Sequence, residues 1–133
     1  MKVDQTLKGV PRTITLDKIL AFEKVVWQRE ANTHSDPEVA KQRGMSKQIA
    51  SGQNQLAFMH ELLETTFEEG WVRGGRISMR WLRPVYVGDS VTPHVRVSAI
   101  GEDGGRKRVE MEVWCENQNG EKTSGGTAQA YAK

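Results

Sequence analysis

The chain has 133 residues, which suffices for one domain around one core, and its formal net charge of +2 is spread over both signs with no basic block. That balance argues against a nucleic-acid partner, and the longest apolar runs fall far short of a membrane span. No signal-peptide pattern opens the chain, and a single cysteine, Cys115, precludes an internal disulfide and suits a reducing cytoplasm, the expected location. One Cys and three scattered His give no structural zinc pattern, and 13 glycines without a phosphate-loop or dinucleotide fingerprint give no reason to expect a cofactor.

Residues 1–11 are polar, end in Gly9-Val10-Pro11, and read as an arm or an edge strand. A helix follows from about Leu16, with Thr15 able to cap it and Leu16, Ile19, Leu20, Val26 and Trp27 recurring at roughly helical spacing. The next helix is short: Asp36 suits the N-cap, Pro37 the first position, Glu38 the positive end, and Gly44 a left-handed stop. Residues 45–51 look irregular. Ser51-Gly52 then opens the longest helix, predicted to about Glu69 and ended by Gly70, with Leu56, Met59, Leu62, Leu63 and Phe67 as its apolar stripe.

From Val72 the period changes to two. Ile77, Met79 and Trp81 alternate with Ser78 and Arg80. Val91, Val95, Val97 and Ala99 share one face of a second run, opposite His94, Arg96 and Ser98. Val109, Met111, Val113 and Cys115 mark a third run, and Thr123, Thr127, Gln129 and Tyr131 a fourth. Turns at Pro84 to Asp89, Gly101 to Gly105 and Asn117 to Gly120 separate them. Helices first, then an antiparallel meander, imply an α+β domain spanning residues 1–133, with the long helix packed on one face of a curved sheet.

Several residues could carry chemistry. His34 stands among Glu30, Asn32, Ser35 and Asp36, just before a helix. An imidazole there can accept a proton near neutral pH, although from spacing alone a loop histidine before a helix is more often structural or exposed, and Asp36 is also the helix cap. Ser51-Gly52 leaves backbone N–H groups open at the positive end of a long helix, able to hold an oxyanion, or serves simply as an N-cap. Gln53, Asn54 and Gln55 either face a pocket or are solvated. His60 reads as an exposed or interface residue. Arg73, Arg76, Arg80 and Arg83 form a basic group that could meet phosphates, or merely line an outer strand face.

Two segments together resemble one family. Gly75 to Val91, GRISMRWLRPVYVGDSV, is similar to the strand–turn–strand "R-F-L-R-P-V-x-x-G-D-T-V" of the MaoC-like dehydratases. His34-Ser35-Asp36-Pro37-Glu38, Ala40 and Ile49-Ala50-Ser51-Gly52 resemble that family's "H-x-D-P-E-x-A … I-A-x-G". Order and separations agree from about Arg12 onward. The resemblance implies a hot-dog fold, a long helix wrapped by an antiparallel sheet, and a dimer with clefts at its interface. It implies addition of water to a 2-enoyl thioester, or the reverse, with coenzyme A or acyl carrier protein as the substrate's handle and no further cofactor.

In that family an aspartate and a histidine in the pattern D-x-N-P-x-H handle water and protons, and the glycine of I-A-x-G donates an N–H to the thioester oxygen. By position, His34 matches the histidine and Gly52 the glycine. If one residue is deleted, Asn32 matches the asparagine and Glu30 the aspartate. If none is, Arg29 takes the aspartate position and Ala31 the asparagine. The proline is absent either way, and Asp36 is a third candidate carboxylate. The expected set is therefore His34, Glu30 and Gly52 as catalytic residues, with Asn32, Asp36, Ser51, Gln53 and Asn54 around the substrate. Two alternatives remain on the same fold. One is a non-catalytic partner subunit of a heteromer. The other is a thioesterase, although no thioesterase-like aspartate–glycine–histidine–asparagine segment is present.

Overall fold

A computed structural model describes residues 1–27 and 30–132, with the side chain of Trp27 outside that description. The chain runs β1 (Thr6–Lys8), β2 (Arg12–Thr13), α1 (Leu16–Phe22), a π-helical continuation (Glu23–Trp27), α2 (Pro37–Gln42), α3 (Gly52–Phe67), α4 (Glu69–Val72), β3 (Arg76–Trp81), β4 (Ser90–Asp103), β5 (Arg106–Glu116) and β6 (Lys122–Tyr131). The sheet order is β1-β4-β5-β6-β3, antiparallel throughout, with β2 also on β4. It is open, and β1 and β3 are its edges. The long helix lies against this sheet in the expected α+β, hot-dog arrangement.

The helix α3 begins where Ser51 Oγ accepts from Gln53 N. Its fully inward row is Gln55, Met59, Leu63 and Phe67, four residues apart each time. Met59, Leu63 and Phe67 meet Val95, Val97, Met111, Val113 and Cys115 of the sheet in one core, and Gln55 is buried at its end. Leu56 and Leu62 of the expected stripe flank that row and are only half-buried. A glutamine, not a leucine, therefore fills the core position nearest the helix start.

Three local expectations are corrected. The expected stripe of α1 is not buried: only Ile19 faces the core, Leu16 and Leu20 are exposed within α1 itself, and Val26 in the π-helical continuation Glu23–Trp27 is half exposed. Gly70 does not end the long helix. The break comes at Glu68, at φ 50°, and Gly70 lies inside α4, where an added Cβ would stand 1.9 Å from Tyr131 O. The glycine there serves a close helix–strand approach rather than a left-handed cap. On β4 a bulge between Val97 and Ala99 shifts the alternation, so Ile100 packs on the core beyond it.

Cys115 lies on the inward face as its spacing predicts, fully buried. Desolvation pushes its thiol up to about 11, so thiolate is scarce at neutral pH. Labelling by a thiol reagent at mildly alkaline pH is expected to follow global unfolding in a denaturant series. Rapid stoichiometric labelling of the native protein would show instead that β5 opens locally.

Candidate active site

The turn bearing His34 is held from both sides. Asn32 Oδ1 accepts from His34 N (2.9 Å), a side-chain-closed turn of the kind asparagine favours. Asn32 Nδ2 donates to Glu23 Oε2 (3.1 Å) and to Glu30 O (2.8 Å). Gln48, buried, donates to His34 O (3.2 Å). Asp36 caps α2 by accepting from Glu38 N (2.9 Å). The backbone of this loop is thereby specified by polar side chains, and the imidazole is left to project from it.

His34 Nδ1 lies 2.8 Å from Ile49 O. A carbonyl only accepts, so in the neutral ring Nδ1 carries the proton and Nε2 carries the lone pair. Nε2 has no partner among the described residues. The carbonyl of Ile49 thus does what a carboxylate does elsewhere: it sets the tautomer and the ring direction.

Segment 48–50 joins this turn to the next wall. Ala50 N donates to Val85 O (2.8 Å), and Ile49 bridges Tyr86. Ser51 follows, buried, and opens α3. At the first turn Ser51 O accepts from Asn54 N (3.0 Å) and from Asn54 Nδ2 (3.1 Å). Gly52 N makes no hydrogen bond among the described residues, so one backbone donor stands free at the positive end of a 16-residue helix. The glycine is required by its neighbour: an added Cβ would stand 2.3 Å from Trp81 Cε2.

A cavity of about 460 Å³ joins these parts, lined by His34, Ile49 to Gln53, Gln55 and the run Trp81 to Val85. Leu82 N and Arg83 N both donate to Thr123 O (2.9 and 3.2 Å), which fixes the Trp81–Val85 wall to β6. Trp81 and Leu82 are about half exposed beside the free edge of the sheet, so the cavity opens there.

Of the eight expected site residues, the cavity gathers His34, Ser51, Gly52 and Gln53. It does not gather Glu30, Asn32, Asp36 or Asn54. Glu30 is exposed, Asn32 braces the His34 turn, Asp36 caps α2, and Asn54 folds back on Ser51 O. Arg29 lies outside the described residues. The arginines do not act as one group. Arg73 pairs with Glu69, Arg76 and Arg80 are exposed on β3, and Arg83, paired with Glu121 at 3.4 Å, is the one at the cavity. His60 accepts from Trp71 Nε1 at 3.1 Å, a packing role.

Sequence reasoning missed Gln48, Glu23 and Trp81 as parts of the site's frame. Gln48 and Glu23 are buried polar residues whose partners lie in other segments, and no spacing rule signals that. Among the described residues no group of three or more His, Cys, Asp or Glu is placed to hold a metal ion. None of their helices is long and apolar enough to cross a membrane.

Residues 2–121 match the MaoC like domain family. No curated protein sequence matches the chain. Among solved structures, the monoamine oxidase regulatory protein from Archaeoglobus fulgius is similar at 24% identity and TM-score 0.84, covering 99% of this chain and 90% of its own. The R-hydratase PhaJ1 from Pseudomonas aeruginosa, unliganded, is similar at 23% identity and TM-score 0.81, over 99% and 82%. The ChsH1–ChsH2 complex from Mycobacterium tuberculosis is similar at 16% identity and TM-score 0.80, over 100% and 99%. At these identities the likeness to the three structures establishes the fold.

Proposed function

This chain belongs to the MaoC-like domain family, and from that premise we propose that it is a hydratase or dehydratase of 2-enoyl and 3-hydroxyacyl thioesters, with His34 as its proton-handling residue. The observation that carries this reading is one cavity containing both an imidazole with a free Nε2 and an unpartnered helix N-terminal N–H at Gly52. Nε2 takes a proton from water as the oxygen adds to C3. The enolate oxygen that forms is held by Gly52 N–H and the helix dipole, and the imidazolium returns the proton to C2. Water is added across the double bond with no net proton change, and dehydration is the same path reversed. No carboxylate is needed for that balance. Coenzyme A or acyl carrier protein is the proposed handle, with Arg83 beside the mouth, and a second hot-dog chain is proposed to pair along β3, whose exposed last residue Trp81, with Leu82 just after it, borders the cavity.

The test is the absorbance of the conjugated enoyl thioester when purified protein meets crotonyl-coenzyme A, with free thiol assayed alongside. Loss of conjugation without thiol release supports hydration. Thiol release would indicate a thioesterase instead. Glu30→Gln is expected to keep turnover within about threefold, since Glu30 is exposed and outside the cavity. A loss comparable to that of removing one member of a catalytic pair would restore Glu30 to the mechanism.

One observation favours a second reading, a non-catalytic partner subunit: no carboxylate among the described residues lines the cavity. Under it the isolated chain would be inactive on every enoyl thioester. Activity would then appear only on mixing with a second hot-dog chain and would survive His34→Ala.

A further inference from the structure

Gln55 occupies the core row of α3, where every other inward residue is apolar. It is 4% exposed and lines the cavity beyond Gly52. A buried amide without partners costs about 1–3 kcal/mol, yet only half of this one is satisfied within the chain. Its Oε1 accepts from Thr123 Oγ1 at 2.7 Å, a shorter contact than the 3.3 Å from the same hydroxyl to Cys115 O, and Nε2 has no partner among the described residues.

Thr123 is in place to do this because of a bulge. On β6, Ser124 pairs with Cys115 and Lys122 with Glu116, which leaves Thr123 as the extra residue. Its side chain is fully buried, its hydroxyl reaches Gln55, and its carbonyl holds Leu82 and Arg83 of the cavity wall. The amide is thereby anchored at its oxygen, with its two N–H donors left for the cavity.

We propose that Gln55 is a specificity-determining residue whose N–H donates to an oxygen on the acyl chain of a short thioester, a carbonyl or hydroxyl at the fourth or fifth carbon. This rests on the thioester reading of the cavity. The spacing sets the position. Gln55 is three residues beyond Gly52, a rise of about 4.5 Å, close to the reach from a thioester carbonyl to the fourth or fifth carbon. A plain hydrocarbon chain would leave the amide desolvated and unpaired, so the site selects against it.

The test uses saturated thioesters, which cannot be hydrated, and calorimetric binding to the full chain. The pairs are 4-oxopentanoyl- against 4-methylpentanoyl-coenzyme A, and 5-oxohexanoyl- against 5-methylhexanoyl-coenzyme A. Wild type is expected to prefer at least one oxo compound by about tenfold over its methyl counterpart. Gln55→Met is expected to abolish that preference. In Gln55→Met/Thr123→Val both partners of the buried bond are replaced, which keeps the test available should the single variant fold poorly. Equal binding within both pairs by wild type, or a preference that survives the double variant, would overturn the assignment. Failure of all four compounds to bind would remove the thioester reading and this assignment together. A Gln55-dependent preference without turnover of crotonyl-coenzyme A would remove hydration alone and leave the assignment standing.

Discussion

Hydration of crotonyl-coenzyme A is expected to fall by about 10²–10⁴-fold in His34→Ala, the usual worth of a positioned general acid–base group. The expectation is at the high end, because no carboxylate of the described residues lines the cavity to take over the proton. His34→Ala also leaves Ile49 O without its donor, at a cost of about 1 kcal/mol in stability. His34→Asn separates the two effects. An amide N–H can still donate to Ile49 O, but an amide is no base near neutral pH. Folding close to wild type with turnover as low as in His34→Ala would assign the loss to proton transfer. Undiminished kcat/KM in either variant would exclude His34.

The second large effect concerns Gly52. Replacing it by proline removes the free N–H and suits the first position of a helix. That variant alone is not a clean test, since any Cβ there meets the Trp81 indole at 2.3 Å. Trp81→Ala makes room. In that background Gly52→Ala keeps the N–H and Gly52→Pro lacks it. Both place a Cβ at the same point. Their kcat values are expected to differ by about 10²–10³, as for loss of one oxyanion donor. Equal kcat would move oxyanion stabilisation elsewhere in the cavity.

The two alignments around residue 30 stay open, because Arg29, on which one of them rests, lies outside the described residues. Asn32 closes the His34 turn through its side chain, whereas Glu30 is exposed and does not line the cavity. Spacing could not decide this, because a loop's path depends on Glu23 and Gln48, which anchor it from an earlier helix and a later strand-like segment. Likewise Asp36 was legible as a cap and as a carboxylate near His34. Its bond to Glu38 N commits one oxygen to the cap.

Local order was readable from the chain: the Asp36 and Ser51 caps, the long helix, the switch to period two and the turns that divide the strands. These rest on interactions within a few residues, so they are present in the sequence itself. Motif matching along the chain also brought His34 and Gly52 forward together. What only the tertiary structure decided is which of the polar residues converge. The carbonyl that sets the His34 tautomer comes from 15 residues away, and the hydroxyl that anchors Gln55 from 68 away across a bulge. Such partners are chosen by packing of whole elements, and neither periodicity nor capping rules register contacts at that separation.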